Sequence, residues 1–99
     1  MGQINDLVKE AYETAVSKGW HEKERSVAEA LALVHAEVSE ALEAARKGDK
    51  ENFAEELGDT IIRIFDLSVE FDVMDLEKAI IDKMAYNKTR PYKHGGKRF

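Results

Sequence analysis

Apolar residues recur along this chain every three or four positions, and the pattern divides into four stretches. Leu7, Val8, Ala11, Ala15 and Val16 predict a helix over about 4–18, which Gly19 is placed to stop. Trp20 and His21 then fall in a connector. A second helix opens at Ser26-Val27-Ala28-Glu29, a capping-box pattern in which Ser26 and Glu29 can satisfy exposed backbone donors, and it runs through Ala45 to end near Gly48. Asp49 caps a third over about 51–71, whose Phe53, Leu57, Ile61, Ile64, Leu67 and Phe71 form one apolar stripe. Asp72 or Asp75 starts a fourth, with Leu76, Ala79, Ile80 and Met84 inward and Pro91 as its latest end.

The sole proline is Pro91, β-branched alternation is absent, and the glycines fall mostly outside the stretches, at Gly2, Gly19, Gly48 and the Gly95-Gly96 tail, with Gly58 the exception. The expected fold is therefore all-α, and short connections make a four-helix bundle-like protomer its natural packing. A length of 99 residues fits one domain spanning 1–99, with residues 91–99 as a basic tail. Ile62 and Phe65 lie outside the stripe of the third helix, giving it a second apolar side. That side is expected to meet another subunit in a homodimer or homotetramer; the alternative is a central helix wrapped by its own domain.

The chain has no cysteine, which excludes disulfides, cysteine-ligated zinc, iron–sulfur clusters and thiol catalysis. No apolar run approaches the roughly 18–20 residues that span a bilayer, and the N-terminus lacks the basic-then-apolar order of a signal peptide. A soluble, cytoplasmic protein with no membrane partner is expected. The formal charge of -5 is unevenly spread: no acid follows Asp82, whereas Lys83, Lys88, Arg90, Lys93, Lys97 and Arg98 are basic. An acidic body argues against duplex nucleic acid as a partner. A small polyanion held between a metal ion and the basic end reconciles the two halves.

Glu37 with Glu40 and Glu56 with Asp59 place two acids three residues apart on each of two neighbouring helices. Spacing alone does not single them out, because Glu10/Glu13, Glu40/Glu43 and Asp72/Asp75 share it. Context does: Glu37 is flanked by Leu33, Val34, Ala41 and Ala44, and Glu56 borders Phe53, Thr60 and Leu67. Two carboxylates about 4 Å apart repel by about 4 kcal/mol at an effective dielectric near 20, so four converging ones need protons or a cation. The bland alternative is four acids pointing to solvent. An all-oxygen cage selects Mg²⁺ or Mn²⁺, and the absence of any acid three residues before a histidine weakens a di-iron reading.

Lys83, Asn87 and Arg90 recur at i, i+4 and i+7 and can clamp phosphate, or can form an ordinary basic helix end. Trp20 can stack on a nucleobase or serve as packing. His94 can touch phosphate or simply belong to the tail, His35 is turned away from Glu37, and Arg63 is expected to pair with a carboxylate. No nucleophile elbow, Gly-rich phosphate loop or dinucleotide fingerprint is present.

Glu37-Val38-Ser39-Glu40 followed by Glu56-Leu57-Gly58-Asp59 resembles the paired Glu-x-x-Glu and Glu-x-x-Asp motifs of the MazG-like, all-α nucleoside triphosphate pyrophosphohydrolases. The ending from Lys83 to Lys97 is similar to that branch as well, so the likeness covers roughly residues 26–97. The resemblance implies an oligomer that uses Mg²⁺ to cut a nucleoside triphosphate between its α and β phosphates, releasing a monophosphate and pyrophosphate. It also implies that Glu37, Glu40, Glu56 and Asp59 hold the metal and that Lys83, Asn87 and Arg90 contact phosphate. Glu40 and Glu56 are the candidate catalytic acids, with Glu40 the candidate base; Trp20 and His94 as substrate contacts rest on their chemistry alone. Phosphoribosyl-ATP pyrophosphohydrolase and a non-catalytic dimerisation or nucleotide-sensing module are the alternatives.

Overall fold

The computed structural model of the chain describes residues 2–92. Four helices account for most of them: α1 (Gln3–Ser17), α2 (Val27–Arg46), α3 (Lys50–Glu70) and α4 (Leu76–Lys88), with no strand among the described residues. The expected boundaries hold to within one residue for the first three. Ser26 accepts from the Glu29 backbone while the Glu29 side chain accepts from the Ser26 backbone, so α2 begins with a complete capping box. Asp49 and Asp75 cap α3 and α4 through the backbone N–H groups of Asn52 and Lys78.

The C-termini of α1, α2 and α3 share one device. At the end of α1 the Trp20 N–H donates to the Ala15 carbonyl and the Gly19 N–H to the Val16 carbonyl, with Gly19 at φ +77°. The same pair of bonds closes α3, Val73 to Ser68 and Asp72 to Val69, with Asp72 left-handed at φ +65°. An aspartate tolerates that conformation better than most residues, so the chain turns sharply without a glycine. The tight closure of α1 fixes the backbone of Trp20 at the start of the connector.

Packing proceeds as a row, α2 along α3 and α3 along α1, with α4 resting chiefly on α1. The side chains at the tight contacts are small: Val8, Ala15, Ala30, Ala41 and Ala44 are the buried hydrophobic residues, joined by Ser68. Small residues let helix axes approach closely but remove little apolar area from water. Asn5 clasps the start of α4, donating from its backbone to Glu77 at 3.0 Å and from its amide to Asp75 at 2.8 Å, while its carbonyl oxygen accepts from the Glu77 N–H. The radius of gyration is 15.9 Å, above the roughly 13 Å usual for a compact chain of this length.

Two expectations are corrected by this arrangement. The stripe on α3 is not a buried face, because Phe53, Leu57, Ile61 and Ile64 all remain substantially exposed, and among the described residues α3 packs extensively against α1 and α2 alone. On α4, Leu76 and Ile80 are half-buried but Ala79 and Met84 are exposed, since α4 has essentially one neighbour. No described helix is long and apolar enough to cross a membrane.

Candidate active site

Down one side of α3 run Glu56, Asp59, Arg63, Asp66 and Glu70, spaced three and four residues apart. This polar stripe stays on one face because seven residues span almost two helical turns. Antiparallel packing of α2 brings Glu37 against its first half. Carboxylate oxygens of Glu37, Glu56 and Asp59 lie within 4.8 Å of one another. Arg63 Nε donates to Glu37 Oε1 at 2.8 Å and offsets part of the gathered charge.

Partial burial raises the Glu56 carboxyl above its ordinary pKa, and the negative charges of Glu40, Asp59, Glu37 and Glu55 push it further in the same direction. Glu56 therefore sits in a field that favours either a proton or a cation. Glu40 is exposed and outside the three-carboxylate convergence, yet near enough for its charge to act on Glu56. The donor set is all oxygen, as a hard divalent cation requires.

A cavity of about 500 Å³ runs from Glu37, Asp59 and Arg63 past Leu33 and Ile62 to Trp20, Arg25 and Asp66. Its lining thus combines carboxylates, aliphatic side chains, one aromatic ring and two guanidinium groups. Trp20 also borders a second cavity of about 560 Å³, which is more apolar and lies between α1 and α3 beside Leu7, Ile61 and Phe65.

The connector supplies a second charged cluster that abuts the lower half of the stripe. His21 Nε2 lies 2.6 Å from Asp66 Oδ1, and its other ring nitrogen lies 3.5 Å from Glu70. Arg25 donates through Nε and Nη2 to the Glu70 carboxylate, with Nη2 at 2.6 Å from Oε1. The Arg25 hydrogen bonds hold Glu70 below the ordinary carboxylate range, and those with Glu70 raise Arg25. Tyr12 packs its ring 5.2 Å from that of His21, closing the cluster against α1.

Of the residues singled out from sequence, the structure gathers Glu37, Glu56 and Asp59 at the acidic convergence, leaves Glu40 outside it, and places Trp20 in the lining of the same cavity as Glu37 and Asp59. Arg63 pairs with a carboxylate as expected, and His35 is exposed. Lys83 and Asn87 lie on exposed α4, with the Lys83 ammonium 4.8 Å from the Tyr86 ring centroid. Neither makes a hydrogen bond or ion pair to the cavity carboxylates among the described residues. Arg90 lies beyond the helix rather than on it: α4 ends at Lys88, and Pro91 disfavours helical geometry at the residue before it. His94 lies outside the described residues.

Arg25, Asp66 and Glu70 were not singled out from sequence. The 3-4-3-4 spacing of charged residues along α3 from Glu56 to Glu70 was the available signal, since charge at core-like spacing marks a helix face turned to a polar interior.

Four helices in a row, with a carboxylate convergence opening into a cavity between α2 and α3, define an all-helical protein of the acid-lined kind. The family model of the MazG nucleotide pyrophosphohydrolase domain matches residues 25–90, and the chain belongs to that family. No curated protein and no solved structure matches it.

Proposed function

We propose that the chain hydrolyses nucleoside or deoxynucleoside triphosphates to the monophosphate and pyrophosphate, with Mg²⁺ as cofactor and Mn²⁺ as a substitute. The convergence of Glu37, Glu56 and Asp59, with Glu37 and Asp59 lining a cavity of about 500 Å³, carries this reading. The family match over residues 25–90 supports it.

Glu37, Glu40, Glu56 and Asp59 would hold the ion. An Mg²⁺ ion held there would supply positive charge to offset that of the phosphates and polarise the α-phosphorus. Glu40, at the edge of the convergence and open to solvent, is the residue to accept a proton from the attacking water, while Glu56 helps to orient that water. Arg63 shares Glu37 and can shift towards a phosphate oxygen without leaving the cavity. Trp20 offers its exposed face to the base.

Lys83, Asn87, Arg90 and His94 are proposed to bind the departing pyrophosphate. Because α4 rests chiefly on α1, a second copy of the chain is the natural source of these groups. The exposed Leu57, Ile61 and Ile62 and the open shape of the protomer support assembly as a homodimer or homotetramer. The whole chain then acts as one domain, and nucleotide-pool cleaning, by hydrolysis of canonical or modified triphosphates, is its proposed role.

A nucleotide panel that includes phosphoribosyl-ATP, assayed for pyrophosphate and orthophosphate separately, tests the reaction. Mg²⁺-dependent pyrophosphate release is expected, with a loss of at least about a hundredfold in Glu56→Gln and Asp59→Asn at unchanged helicity. Orthophosphate as the only product, or full activity in both variants, refutes the assignment.

A further inference from the structure

Asp66 lies seven residues beyond Asp59 on α3, about 10.5 Å further along the axis on nearly the same face, and lines the same cavity. Arg25 joins it from the connector ahead of α2. Both are held in place: His21 engages Asp66 Oδ1, and Glu70 takes two of the guanidinium nitrogens of Arg25. Asp66 Oδ2, 3.6 Å from Arg25 Nη2, has no hydrogen bond among the described residues, and neither has Arg25 Nη1. A spare acceptor and a spare donor therefore stand side by side, two helical turns from Asp59, with Trp20, Leu33 and Ile62 in the same lining.

We infer that Asp66 and Arg25 read the edge of a nucleobase and select bases with an exocyclic amine over those with a carbonyl oxygen at that position: cytosine over uracil, adenine over hypoxanthine. The inference rests on the nucleotide reading proposed above. A nucleotide with its phosphates at Glu37 and Asp59 extends its sugar along the cavity and its base towards Asp66. A carboxylate accepts hydrogen bonds and cannot donate, whereas a guanidinium only donates. The amine of cytosine or adenine gives Asp66 a donor, and the neighbouring unprotonated ring nitrogen accepts from Arg25. Uracil and hypoxanthine reverse both groups, so a carbonyl oxygen faces Asp66 and a ring N–H faces Arg25. Sites built to hydrogen-bond a substrate group discriminate strongly against its absence, because their own polar groups are left unpaired. His21 and Glu70 act as positioning residues that fix the two readers.

The experiment measures kcat/KM for dCTP, dUTP, dATP and dITP with the full chain and Mg²⁺, by pyrophosphate release. Wild-type protein is expected to favour dCTP over dUTP and dATP over dITP by at least about tenfold. Asp66→Asn, whose amide donates as well as accepts, is expected to lower both ratios by at least about threefold, mainly through KM, with Arg25 retaining the remainder of the preference. Calorimetric affinities of wild-type protein for dCMP and dUMP are expected to follow the same order. Equal kcat/KM within each pair for wild-type protein overturns the proposal, as does a helical Asp66→Asn protein that keeps the wild-type ratios. Should that variant not fold, the wild-type ratios and the dCMP and dUMP affinities still decide. Absence of pyrophosphate with all four nucleotides overturns the hydrolase reading instead, while the dCMP and dUMP order continues to test base selection.

Discussion

Gly58 sits in the middle of α3 between a site carboxylate and an exposed leucine, and its replacement by alanine isolates what the helix alone requires. The backbone there is helical, and a Cβ built at the position meets no heavy atom within 4 Å. No clash therefore opposes the gain in helix propensity, which is about 0.8–1.0 kcal/mol for glycine to alanine in a helix interior. Part of the gain comes from the unfolded chain, which loses freedom when glycine is removed. For a chain of this size about 1 kcal/mol corresponds to a rise in Tm of about 4–8 °C. Thermal melting by circular dichroism at low micromolar protein, with and without Mg²⁺, reads the shift directly. An unchanged or lower Tm in Gly58→Ala refutes the reasoning and means that atoms of another chain occupy the space beside Gly58. A higher Tm with diminished activity would instead assign the glycine to substrate access, because it borders the α1/α3 cavity beside Asp59.

Mg²⁺ at about a hundred times its Kd should stabilise the protein by about 2.7 kcal/mol if one ion binds the native state alone. The shift should be absent in Glu56→Gln, and an equal shift in that variant would remove Glu56 from the ligand set. Ile61, half exposed in the protomer, should become an assembly determinant. Ile61→Asp places an unpaired charge in any interface at a cost of several kcal/mol and should reduce the mass seen by sedimentation velocity; unchanged mass would exclude that face. Glu70, held below its ordinary pKa of 4.5 by Arg25, should contribute stability that is complete at neutral pH and is lost as the pH falls from about 4.5 through its lowered value. The stability gap between wild type and Glu70→Gln, about 1–3 kcal/mol at pH 7, should therefore close on acidification, and a gap independent of pH would contradict the pairing.

The helices were legible in the sequence because their signals are local: Ser26 with Glu29, Asp49, and Gly19 each act within a turn of where they stand. Glu37, Glu40, Glu56 and Asp59 were legible as two facing pairs from their apolar flanks and the resemblance of their motifs, but that Glu40 stands outside the group formed by the other three was not. The direction of the α3 stripe was not legible. Periodicity groups Phe53, Leu57, Ile61 and Ile64 on one side but cannot say whether α2, α1 or nothing lies against that side. Nor could spacing reveal the charged cluster of His21, Arg25, Asp66 and Glu70, whose members are brought together over 45 residues of chain by the fold itself. The placement of α4 was equally hidden, since it depends on Asn5 reaching Asp75 and Glu77 across some 70 residues.

Because α3 carries the charged groups of the cavity on one side and uncovered aliphatic side chains on another, almost every turn of it is committed twice. A complete scan of single substitutions scored for activity should therefore show no helical rhythm of tolerance along α3, with sensitive positions in every direction around its axis. Along α1, α2 and α4 the same scan should show ordinary alternation between permissive and restrictive faces. Sequence drift in this protein should consequently concentrate in the outer helices, leaving the central one as its slowest-changing segment.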